Sequence, residues 1–190
     1  MPTTDSTHEL SGGAGWYALH TQHQHEKAVA HSLTSKGFEV FLPLYLSVRR
    51  WSDRTKELSL PLFSSYVFLH GGLERQLAIL TTPGVHGVVS FGGAPAVVPD
   101  AEIEAVRQVI TNGVQLSPHP FLKCGDWVRI KQGPLEGLEG ILERTKGQFR
   151  LVLSVNLIQK SVSVEVDAWA VERATRPDPG QPYHSMPLGV

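Results

Sequence analysis

Apolar positions along the chain change period from one stretch to the next, and each change predicts an element. "GWYALHT" from Gly15 reads as a short strand. "HEKAVAHSLTSKGF" sets Ala28, Val29, Ser32, Leu33 and Lys36 at helical spacing and closes on Gly37, a residue that ends helices. "EVFLPLYLS" is the next strand, and a basic segment, "VRRWSDRTKELS", leads to "LFSSYVFLH", whose aromatic and β-branched content predicts a central strand. "LERQLAILTTPG" predicts a second helix, "VHGVVSFGG" a strand, and "PDAEIEAVRQVI" a third helix opened by the Pro99-Asp100 capping signal. The order β-α-β, hairpin, β-α-β-α suits an α+β domain: an antiparallel sheet with helices on one face, in the split βαβ arrangement.

The second half alternates with period two. In "GDWVRIKQGPLEGLEGILER", residues 125–144, Trp127 to Ile130 read as a half-buried strand that Gly133-Pro134 ends. Gly137 is a further turn glycine, and Gly140, inside a strand pattern, signals a bulge or a close approach of two backbones. Phe149, Leu151, Leu153 and Val155, then Val162, Val164 and Val166, continue the alternation. Four or five short strands in about fifty residues fit a small closed β-barrel. Its valines favour strands, and its glycines and Pro134 oppose helix, so this half is expected to stay β permanently.

Two zones rich in Pro and Gly punctuate the chain: "TNGVQLSPHPF" and "TRPDPGQPYHSMPLGV". The expected division is a disordered N-terminus at 1–13, a first domain at 14–111, a flexible linker at 112–121, a second domain at 122–174 and a disordered tail at 175–190. A chain of 190 residues with 41% hydrophobic content has room for one or two such units. The formal charge of -1 leaves any polyanion binding to a local patch. Cys124 is the single cysteine, so an intramolecular disulfide and a cysteine-rich metal site are excluded, and a reducing, cytoplasmic setting is expected. No apolar run is long enough to span a bilayer, so neither membrane contact nor an exported form is expected.

Candidate chemistry is sparse. "RRWSDRTK" gathers Arg49, Arg50, Arg54 and Lys56 around Trp51, a combination that meets phosphate and stacks on an unpaired base, although a solvated hairpin tip has the same composition. His20, His23, His25 and His31 are spaced as metal ligands can be. With no cysteine near and little carboxylate support, neither a metal nor a cofactor is expected. No nucleophile, base and orienting group occur together, so no enzymatic reaction is assigned.

Specific motifs carry a resemblance. "WYALHTQHQHEKAVAHSLTSKGFEVFLPL" and "LFSSYVFLH" resemble the N-terminal NGN domain of the NusG family of transcription elongation factors, and "GDWVRIKQGPLEGLEGIL" resembles its KOW motif, together over about residues 15–174. Ser64-Ser65 replaces the Pro-Gly common before Tyr-Val-Phe in that family, and "LIQKSVSVEV" departs from its usual barrel segment. Both departures resemble specialised paralogues of the RfaH and UpxY type. The resemblance implies an NGN domain that grips the clamp helices of the largest RNA polymerase subunit and approaches non-template DNA at the transcription bubble. It implies polymerase contacts at His20, Phe63, Tyr66, Phe68 and Phe91, with Phe63 and Phe91 as preferred anchors, and at Arg75 and Gln76 before the apolar Leu77. Nucleic-acid contacts are implied at His23, Lys27, Arg49, Arg50, Trp51, Arg54 and Lys56. It further implies an SH3-like KOW barrel that recruits a partner such as a small ribosomal subunit protein, in a protein expected to be a monomer. The alternative is an RNA-binding or ribosome-associated module with no polymerase contact.

Overall fold

A computed structural model describes residues 15–50, 55–121, 125–145 and 148–176, without the side chains at 49, 50, 55, 145 and 168. Of the segments expected to be disordered, 1–13 and 175–190, residues 1–13 and 177–190 lie outside the described residues.

The elements run β1 (Trp16–Thr21), α1 (Glu26–Ser35), β2 (Glu39–Phe41), β3 (Leu44–Arg50), β4 (Thr55–Pro61), β5 (Tyr66–His70), α2 (Gln76–Leu80), β6 (Val85–Val88), β7 (Ser90–Phe91), β8 (Ala94–Pro95), β9 (Val97–Val98) and α3 (Asp100–Thr111). An antiparallel sheet has the order β2-β5-β1-β6, with β9 also on β1. Strand β5 is interior, as its composition predicts. The pleat sends alternate residues of β1 and β5 to opposite faces. Leu19, Val67 and Leu69 meet Val29 and Leu33 of α1 and Ile79 of α2. Trp16, Ala18 and Phe68 share a second core with Ile103, Val106 and Val109 of α3. Helices therefore cover both faces, where one was expected, because α3 has an apolar side of its own to bury.

Proline and turn chemistry explain two further differences. "EVFLPLYLS" is two strands: β2 stays in the main sheet, whereas β3 leaves it after Pro43 and pairs with β4 as a separate ribbon. The helix expected from Leu73 is a 3-10 turn at Leu73–Arg75 followed by the five-residue α2. Pro99 precedes α3 as predicted, but no side chain caps the helix; Asp100 and Glu102 sit in its first turn, where they complement the helix dipole.

The C-terminal half forms β10 (Leu116–His119), β11 (Asp126–Ile130), β12 (Glu139–Thr145), β13 (Gln148–Val155), β14 (Lys160–Val166) and β15 (Val171–Arg173). They make one antiparallel sheet in the order β10-β14-β13-β12-β11-β15. Val128, Ile130, Leu151, Leu153, Val155, Val162 and Val164 are its buried face. Gly140 settles the choice between a bulge and a close approach: a Cβ built there would stand 2.7 Å from the carbonyl oxygen of Val152. Arg176, within the expected tail, lies over the Trp127 ring with its guanidinium carbon 5.6 Å from the centroid.

Residues 112–121 differ most from expectation. α3 ends in a Schellman motif, with Gly113 at φ 68°, its N–H on the carbonyl of Ile110 and the N–H of Val114 on that of Val109. Two residues later β10 begins, and it adds a strand to the C-terminal sheet at the edge of β14. In place of a flexible tether the chain runs from helix cap to strand.

α3 is the element the two halves share. Arg107 lies over Trp16 and Phe41 on the side toward the first sheet. On the other side Glu102 accepts hydrogen bonds from the backbone N–H (3.1 Å) and the side-chain amide of Asn156, and the Gln108 amide donates to the carbonyl of Glu136 at 3.4 Å. Burial first, offset by the bonds from Asn156, holds the Glu102 carboxyl above its ordinary value of 4.5. A raised value in the docked state means that docking is favoured below the ordinary value and weakens as pH rises through the raised one. Docking is therefore expected to tighten on acidification across that window, and Glu102→Gln to remove that dependence. Amide shifts of residues 156–159 followed against pH check both.

Candidate functional site

The sheet face that α3 covers continues beyond it at the C-terminal end of β1. There the pleat places His20 on that face, between Tyr66 of β5 and His86 of β6. Ring centroids are 5.6 Å apart for His20 and Tyr66 and 5.3 Å for His20 and His86. His20 and His86 are exposed and Tyr66 is half-buried, so three rings cross three strands as an open row. His86 was not among the expected residues. The signal for it was the irregularity in the β1–β6 pairing, where His20 pairs with Gly87 and Thr21 with Val85, which no local spacing in "VHGVV" contains.

Further along the same edge of β1, β7 and β8 form a small hairpin that turns at Gly92 and Gly93. Phe91 stands on it, 85% exposed. The other preferred aromatic sits differently: Phe63 is 2% exposed and packs edge-on against Phe68, with ring centroids 5.6 Å apart. Phe63 as an exposed anchor is thus corrected to a core residue, and Phe68 is fully buried beside it. The turn before Tyr66 explains this. Ser65 takes a left-handed conformation (φ 67°), its N–H donates to the buried carboxylate of Glu26 at 2.7 Å, and its carbonyl accepts from the N–H of Thr21. Pinned there by the start of α1 and the end of β1, the chain turns Leu62 and Phe63 inward and Tyr66 toward the open row.

The expected nucleic-acid residues gather only in part. The Lys27 ammonium donates to the carbonyl of Ser59 at 2.6 Å, so the first turn of α1 lies against β4 of the ribbon. His23 bonds through Nδ1 to the Ser64 hydroxyl at 3.0 Å, on the turn just described. Lys56 is exposed on β4. Trp51 and Arg54 lie outside the described residues, as do the side chains of Arg49 and Arg50. The ribbon also bears an exposed apolar stripe, Leu44, Leu46 and Val48, that sequence reasoning did not single out.

Arg75 and Gln76 are elsewhere, at the start of α2. The Arg75 guanidinium covers the Phe38 ring at 4.2 Å and donates to the carbonyl of Lys36, which commits it to holding the end of α1. Gln76 is half-buried, and Leu77 is exposed. Among the described residues, no helix is long and apolar enough to cross a membrane.

Known proteins resemble this chain in sequence. A family model described as "NusG: Transcription termination factor nusG" matches residues 14–107. The chain is similar to the "Transcription termination/antitermination protein NusG" of Pseudomonas aeruginosa, 25% identical over 174 residues that cover 83% of this chain and 97% of that one. It is 24% identical over 172 residues to the protein of the same name from Helicobacter pylori, again covering 83% and 97%. A solved structure described as "Domain interaction in Thermotoga maritima NusG" superposes with a TM-score of 0.49 at 22% identity, over 86% of this chain and 98% of that one. Through residues 14–107, the chain belongs to the NusG family.

Proposed function

We propose that this chain is a non-enzymatic transcription elongation and antitermination factor that binds RNA polymerase through its N-terminal domain. The observation that carries the reading is the open row of Tyr66, His20 and His86, with Phe91 exposed on the hairpin further along the same edge of β1. Aromatic side chains that remain exposed beside a packed sheet are suited to anchor a protein partner, and the clamp helices of the largest polymerase subunit are the partner that family membership suggests. Phe63 and Phe68 act from beneath, as the floor that holds Tyr66. Lys27, His23, Lys56 and the basic tip of the ribbon would then face nucleic acid near the bubble, with Arg49, Arg50, Trp51 and Arg54 as the tip's own contribution.

The C-terminal sheet is read as a KOW domain of the SH3-like barrel type. His119 on β10 reaches Glu143 on β12 at 2.9 Å although β14 and β13 lie between them in the sheet, which supports a sheet curled upon itself. A small ribosomal subunit protein is the proposed partner of this domain. Specialisation of the RfaH and UpxY type rests on Ser64-Ser65 and residues 157–166.

The test is capture of core RNA polymerase on the immobilised intact chain across a salt series. Retention is expected, with charge reversal at Arg49, Arg50 and Arg54 lowering the slope of log affinity against log salt by about one for each phosphate no longer neutralised. Retention of RNA with no retention of polymerase would replace this reading by that of an RNA-binding module.

A further inference from the structure

We propose that the N-terminal domain and the C-terminal sheet are one docked body, and that they part only when β10 leaves β14. The path of the chain carries this. The N–H of Val114 still bonds back to α3, and Leu116 already begins β10, so Gln115 alone lies between cap and strand. If the cap opens, residues 112–115 span at most about 17 Å, at about 3.4 Å for each of five steps. So short a tether keeps the sheet at high effective concentration beside α3, where it docks again. Release of β10 instead frees residues 112–121, roughly 34 Å or more on the same scale.

β10 has the features of a strand that is held but releasable. It is four residues long, lies at the sheet edge, and includes Pro118, which brings no N–H to the ladder. Buried Leu116 anchors one end, and His119 closes the other through Glu143 and the carbonyl of Pro120. Parting opens the buried cluster that Ile103, Val106 and Val109 of α3 share with Val128, Leu151 and Leu153, and uncovers Glu102 and Gln108 together with the turns at Glu136 and Asn156 that now meet them.

The experiment is ¹⁵N relaxation on the intact chain, comparing rotational correlation times for residues 15–111 and 125–176. In a Cys124→Ser background, Ser117→Cys with Ser163→Cys locks β10 to β14 on oxidation, since these positions are Cα partners in the antiparallel register. With Glu102→Ala and Asn156→Ala added, the oxidised chain is expected to keep one correlation time for both parts and the reduced chain to show two shorter ones. Leu116→Ser, checked for intact strands by the shifts of residues 126–166, is expected to give two correlation times without any change at Glu102. Separate tumbling of the oxidised chain would overturn the proposal, and so would a single correlation time in the reduced chain or in an intact Leu116→Ser chain.

Discussion

Phe63→Ala is expected to destabilise the N-terminal domain by about 3 to 5 kcal/mol, the range for emptying a large aromatic site in a core that cannot fully collapse. Phe63 is closed in by Phe68 and by the core that α3 seals, and Glu26 holds the turn that aims it inward, so little is free to move into the space. Phe91→Ala should do the opposite. With most of its surface already in water the side chain contributes little to folding, and its loss is expected to stay within about 0.5 kcal/mol of stability. If Phe91 is a polymerase anchor, the same change weakens capture by about 1 to 4 kcal/mol. Urea denaturation beside polymerase affinity separates the two residues. A Phe63→Ala protein as stable as the parent, yet defective in capture, would return Phe63 to the surface and undo its place in the core.

The second large effect is expected at Gly140. Alanine there places a methyl group 2.7 Å from the carbonyl oxygen of Val152 and 3.1 Å from Leu151 Cδ1. The first obstacle is backbone in the middle of the β12–β13 ladder, so relief requires the strands to shift and not merely a side chain to rotate. Overpacking of this kind costs about 1 to 3 kcal/mol. Amide exchange of β12 and β13 should quicken in Gly140→Ala, and the urea midpoint should fall. An unchanged midpoint would mean that the two backbones have room between them that this geometry denies.

Much of the molecule was legible before folding because it depends on neighbours in the chain. Period two marked the strands from Trp127 to Val166, helical spacing marked α1, the Pro99-Asp100 signal marked α3, and Gly137 was read as a turn and Gly140 as a bulge or a close approach. Where two such signals competed, the local one failed. "EVFLPLYLS" has continuous strand composition, yet Pro43 divides it between two sheets, and "SPHP" reads as linker although β14 offers its backbone a partner.

The sequence by itself determined most of the elements and the family, since alternation, turn residues and motif spacing are properties of contiguous chain. It also made Phe63 and Phe91 equal candidates, because a strand's pattern states that alternate residues share a face and not which face is buried. Tertiary structure decided that. Glu26 turns Phe63 into the core, the β7–β8 hairpin carries Phe91 out of it, the register irregularity between β1 and β6 sets His86 beside His20, and α3 joins residues of both sheets in one buried cluster. Each of these depends on a partner distant in sequence, and only the folded chain brings that partner near.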